Sequence, residues 1–112
     1  MSENLLKETI DFIEENGKKE KDVAWVGFKN KWCSWDDFKL VSDFNYDNSF
    51  GAQEINPDLF VVGSDWWLER HEYDGSEWWE FKRMPDNPSI NTKLNLEELH
   101  RNDGWWDWED ED

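Results

Sequence analysis

The sequence predicts an α+β fold: a small twisted antiparallel β-sheet with an N-terminal helix, a second short helix and an acidic C-terminal tail. Three observations predict it. Apolar residues between positions 4 and 16 recur close to the helical period. Two aromatic-rich runs flank Asp74-Gly75, a strong hairpin signal. The stretch 102–112 carries six acids and no base, which sets it apart from a body, 1–101, read as a single domain. The chain has 112 residues, a length that suits one domain.

In chain order, Leu5, Leu6, Ile10 and Ile13 make the stripe of the first helix, with Thr9 and Phe12 beside it. Ser2 or Asn4 suits its N-cap and Gly17 its end. Lys18, Lys19 and Lys21 then sit near the negative pole of that helix and read as a solvated connector. Residues 23–29 read as a strand with Val23, Trp25 and Gly27 on one face. Ser34-Trp35-Asp36-Asp37 has the form of a capping box, so a short helix is expected to about residue 43, with a strand as the alternative. Residues 44–58, rich in Asn, Asp, Ser and Gly, read as loop. Leu59 to Gly63 reads as a buried strand, and 65–73 with 77–84 as the hairpin.

On the first hairpin arm Trp66, Leu68, Arg70 and Glu72 share one face. Glu69 and Glu72 are expected to pair with Lys82 or Arg83 across the hairpin. Pro85 and Pro88 end it, and 94–99 suits one or two helical turns. The expected core is Trp25, Phe28, Phe38, Phe60, Val62, Trp66, Leu68, Trp79 and Phe81.

Hydrophobic residues are scarce, at 37%, but 10 Trp and 7 Phe supply large buried areas per side chain, so a folded core is expected. The net charge of −16 argues against nucleic acid and anionic membrane as direct ligands, because both repel it. It favours a basic partner, although solubility alone also explains such a balance. Cys33 is the single cysteine, so no intramolecular disulfide forms, which fits a reducing cytosol. No secretory leader and no apolar run of membrane-helix length is visible.

The most suggestive stretch is the C-terminal one, with Asp103, Trp105, Trp106, Asp107, Trp108, Glu109, Asp110, Glu111 and Asp112. Acids there suit Arg and Lys of a partner, and Trp suits anchoring pockets. The competing reading folds Trp105 and Trp106 back onto the domain. Glu72, Asp74 and Glu77 around the hairpin turn extend the expected partner-binding set. The hairpin tryptophans Trp66, Trp67, Trp78 and Trp79 read as core rather than as a stacking platform, since no positive groove is visible beside them.

Asp43, Asn45, Asp47 and Glu54 fall at calcium-loop spacing, but Asn48 stands at the glycine position and Pro57 blocks an exit helix; an Asx-rich turn is the alternative. His71, His100 and Cys33 lack partners at metal-ligand spacing, and no nucleophile elbow or phosphate loop appears. The chain is therefore expected to be no enzyme and to need no cofactor.

Tyr46-Asp47, Phe50-Gly51, Glu54-Ile55 and above all the run from Val61 to Phe81, with its doubled tryptophans, resemble a set of small acidic proteins encoded by phages and prophages of Gram-positive bacteria. The likeness covers residues 44–85. It implies a phage gene product in the bacterial host cytoplasm. Small acidic phage proteins often inhibit host nucleases, restriction systems or CRISPR effectors by imitating DNA charge, an analogy of class. The function expected is thus a protein-binding inhibitor or modulator of a basic, nucleic-acid-binding host defence protein, acting as a monomer or homodimer. The alternatives are a phage structural or assembly accessory protein that forms a homo-oligomer, and a calcium-binding module at 43–54.

Overall fold

A computed structural model of the chain describes residues 2–49, 52–86 and 93–99. The acidic segment 102–112, including Asp103, Trp105, Trp106, Asp107, Trp108 and the four terminal acids, lies outside the described residues. The architecture is α+β, as the sequence predicts: strand β1 (Ser2–Asn4), helix α1 (Leu5–Glu15), β2 (Trp25–Gly27), β3 (Trp32–Cys33), α2 (Trp35–Val41), β4 (Asn45–Asp47), β5 (Phe60–Val62), β6 (Trp66–Tyr73) and β7 (Ser76–Arg83). Short 3₁₀ turns occupy Glu20–Asp22 and Leu96–Leu99. Among the described residues no helix is long and apolar enough to cross a membrane.

The helices start and stop where capping chemistry dictates. Of the two candidate caps for α1 the structure uses Asn4, whose side chain accepts the Lys7 N–H at 2.9 Å. At its C-terminal end the Lys18 N–H reaches Ile13 O and the Gly17 N–H reaches Glu14 O, a Schellman closure. That closure puts Gly17 at φ 79°, a conformation a side chain disfavours. Helix α2 is capped by Ser34, whose Oγ accepts the Asp37 N–H at 3.0 Å.

Five strands form one antiparallel sheet in the order β3-β2-β5-β6-β7, and β1 pairs with β4 in a separate two-stranded ribbon. The 44–58 stretch is therefore not all loop, because Asn45–Asp47 is recruited as a strand by the chain's own Ser2–Asn4. Such pairing is invisible to local propensity, since neither segment is rich in β-formers. The β6–β7 hairpin closes on Tyr73↔Ser76. Its two turn residues, Asp74 at φ 53° and Gly75 at φ 87°, have the left-handed backbone of a type I′ turn.

The core lies between one sheet face and the two helices. Leu5, Ile13, Trp35, Phe38 and Tyr46 meet Val26, Val61, Trp66, Leu68 and Trp79 there. Phe38, Trp66, Leu68 and Trp79 are core residues as expected. In β2 and β5 the expected facing is off by one: Val26 and Val61 are buried, while Trp25 and Val62 are only half-buried. Both strands are three residues long and apolar on both faces, so alternation alone does not fix parity. The row Val26↔Val61↔Leu68, set by pairing, does. Phe28 and Phe60 are half-buried, and Phe81 packs against the core from its rim.

The expected cross-strand ion pairs are also corrected by register. Glu69 lies opposite Glu80 and Glu72 opposite Glu77, whereas Lys82 faces Trp67 and Arg83 faces Trp66.

Candidate functional site

Parity along β6 sends Arg70 into the core with Trp66 and Leu68. A buried guanidinium requires compensation, and the fold supplies it from three elements, α1, β4 and β7. Nη2 donates to Glu77 Oε1 at 2.8 Å and to the Tyr46 hydroxyl at 3.0 Å. Nη1 stands 3.5 Å from Glu8 Oε2. The Trp79 ring lies 4.7 Å from the guanidinium carbon, a cation–π contact. Trp79 Nε1 donates to Thr9 Oγ1 at 2.9 Å, and Thr9 donates to Leu5 O at 2.7 Å.

Tyr46 donates to Glu8 Oε1 at 2.5 Å, and burial together with that bond pushes its phenol pKa well above the usual range. Burial likewise raises the Glu8 carboxyl, against the opposing pull of Tyr46 and Arg70.

This network also disposes of one expected contact residue. Glu77 has a fully enclosed side chain, with its carboxylate held by Arg70 and by the backbone N–H groups of Glu54 and Ile55. It is an internal anchor for Glu54 and Ile55 and is not available to a partner. Glu72 and Asp74 are exposed at the turn, with Glu72 Oε2 accepting the Gly75 N–H at 2.9 Å.

Where it is described, the 43–54 stretch read as a calcium loop is in part a strand. Asn45–Asp47 is extended, so the segment that should curl around an ion is straight. Asp43 and Asn45 both accept from the Asn4 amide, and Asp47 accepts the Ser49 N–H. Among the described residues no group of three His, Cys, Asp or Glu side chains is placed to hold a metal ion. Cys33 is half-buried, and burial pushes its thiol pKa up, away from nucleophile chemistry.

Among the described residues neither α1 nor α2 packs on the opposite face of the sheet. Alternation places Trp25, Phe60, Val62, Trp67 and Trp78 there, with Trp32 at its edge and 72% exposed. Carboxylates are woven among them. Trp67 Nε1 donates to Glu69 Oε1 at 2.9 Å, and Trp78 Nε1 donates to Glu80 Oε2 at 3.1 Å. His71 Nε2 stands 2.7 Å from Glu69 and 3.5 Å from Glu80. The indole N–H bonds are the first cause of lowered pKa values at both Glu69 and Glu80, so both acids stay ionised.

At the β2–β3 turn the same face opens into a groove of about 610 Å³ lined by Trp25, Phe28 and Trp32, with Lys29 and Lys31 on its rim. This groove is not legible in the sequence, because its aromatic residues come together only through the pairing of Gly27 with Trp32.

A pH experiment distinguishes the two carboxylate settings. Glu69 has a folded pKa below its ordinary 4.5, so its contribution is present above that pH and is lost as pH falls through the folded value. Glu8 has a raised folded pKa, so its contribution has the opposite sign: it is present below 4.5 and lost as pH rises through the folded value. Glu69→Gln should therefore flatten the acid limb of a melting temperature–pH curve, and Glu8→Gln should steepen it. Parallel shifts in the two variants contradict the assignment.

Fold and face together define a small α+β domain with one open sheet face of mixed indoles and carboxylates. Compared with protein-family models, curated proteins and solved structures, the chain finds no match.

Proposed function

We propose that the chain is a protein-binding inhibitor or modulator of a basic, nucleic-acid-binding protein. Its surface carboxylates stand in for phosphates and its tryptophans supply the grip. The observation that carries this reading is the open sheet face, where Glu69 and Glu80 are each tied to an indole and kept ionised. Ionised acids beside exposed aromatic faces are what Arg and Lys side chains engage, by charge-assisted hydrogen bonds and cation–π contact.

The charge excess also belongs to the body of the chain, not only to its end. Of 28 acids six lie in 102–112, which leaves 22 against 11 lysines and arginines before residue 100. One of those 11, Arg70, is consumed inside the core. A host defence enzyme as the target, and a phage setting, rest on the resemblance of residues 44–85 and on analogy of class.

The test is capture from bacterial lysate with the full chain, a Trp67→Ala/Trp78→Ala variant and a chain ending at Arg101, followed by titration of the captured protein. The captured protein should be basic and displaced by duplex DNA, and its affinity should fall about tenfold or more when salt rises several-fold. Affinity that hardly responds to salt overturns the reading. Loss of binding in the double Trp variant assigns the sheet face; loss only on truncation assigns 102–112.

A further inference from the structure

Strand β7 is eight residues long and forms one edge of the five-stranded sheet, whereas the other edge, β3, has only two residues. Its backbone parity is fixed at both ends. The Glu77 N–H points away from β6 and is taken by Asn48 O at 2.9 Å, while the Met84 N–H turns inward to Asp65 O at 2.7 Å. Between them, the N–H and C=O groups of Trp79, Phe81 and Arg83 point outward, and no described main-chain group pairs with them. A long edge with unpaired groups is a template for another strand.

We propose that β7 pairs antiparallel with β7 of a second copy about a twofold axis at Phe81. In that register the outward groups of Trp79, Phe81 and Arg83 meet those of Arg83, Phe81 and Trp79 of the partner, so the outward groups of all three residues are used. The side chains on the open sheet face match as well. Glu80 meets the partner's Lys82, and Lys82 meets the partner's Glu80. Trp78, 37% exposed, meets the partner's Met84, which is 58% exposed in the single chain. The row Trp78, Glu80, Lys82, Met84 is therefore complementary to its own reverse, in charge and in sulfur–aromatic contact. A twofold axis requires this self-complementarity.

The pairing runs the two open faces into one continuous ten-stranded sheet surface. It does not depend on the proposed function, and salt separates the two. Each copy carries −16, so copies repel and dimerisation should strengthen as salt rises. Binding of a basic protein should weaken.

The experiment is sedimentation velocity over a wide concentration range in low and high salt, with amide hydrogen exchange on the same samples. The expected result is a monomer–dimer equilibrium favoured by salt, with protection of the Trp79, Phe81 and Arg83 amides that grows with concentration. Lys82→Glu sets like charges across the axis twice and should weaken the dimer about tenfold. The swap Glu80→Lys/Lys82→Glu should restore it; thermal melts check that each variant is folded. A monomer at every concentration, a dimer indifferent to Lys82→Glu, or protection of these amides only when a basic protein is added overturns the second copy as occupant.

Discussion

Replacing Glu77 by alanine is expected to destabilise the protein by about 3–5 kcal/mol, the usual cost of leaving one member of a buried ion pair uncompensated. Neither Arg70 nor Glu77 exposes any of its side chain, so no water is at hand to solvate the orphaned guanidinium. The loss has a second part. The backbone N–H groups of Glu54 and Ile55, at 2.6 and 3.2 Å from the carboxylate, would be left without their acceptor.

The two parts separate by variant. Arg70→Met/Glu77→Leu removes both charges and should recover some of the loss, because apolar residues often replace a buried pair at little cost. It cannot recover the two backbone bonds. Urea unfolding followed by tryptophan fluorescence measures all three chains. Glu14→Ala, on the exposed side of α1, is the control and should stay within about 0.5 kcal/mol. A Glu77→Ala loss no larger than that control would show that the carboxylate does not carry the hub.

Much of the fold is legible in the sequence, for reasons that can be named. Helix α1 and the hairpin carry their own punctuation, Asn4 and Gly17 for one and Asp74-Gly75 for the other. Their long patterned runs leave one parity. What is not legible arises from pairing between distant segments. Strands β1 and β4 exist only through each other, and β2 and β5 take their facing from Leu68 across the sheet.

The candidate site divides in the same way. The alternation that puts Arg70 beside Trp66 and Leu68 was readable, and it points to a buried partner for a buried cation. Glu77 read as a surface acid because acids near a turn are usually solvated. Its place opposite Glu72, with Arg70 reaching across, depends on the register of the closed hairpin. The acid–indole face was hidden for a related reason. The spacings Trp67–Glu69 and Trp78–Glu80 are ordinary in strands, and they gain a surface role because both described helices pack on the other face.

The doubled tryptophans show how far parity alone can be pushed. Trp78 and Trp79 are chemically the same and adjacent, yet one is 37% exposed and the other 2%. Trp79→Ala should cost about 3–5 kcal/mol, the range for deleting a large buried aromatic. The deletion opens a cavity beneath α1, strips the cation–π cover from Arg70 and leaves the Thr9 hydroxyl without its donor.

Trp79→Phe keeps a ring over the guanidinium and should recover most of the packing, though not the Thr9 bond. Trp78→Ala should change stability by less than about 1 kcal/mol, since its indole is exposed on the open face and bonds Glu80 there. Its effect belongs instead to association, with a basic protein or with a second copy. Measuring stability and self-association for the same pair of alanine variants therefore tests the division of labour within one dipeptide. Stability should fall at position 79 and association at position 78. Equal losses of stability at both positions would mean that the outer face is part of the core, and would remove the surface on which both binding proposals stand.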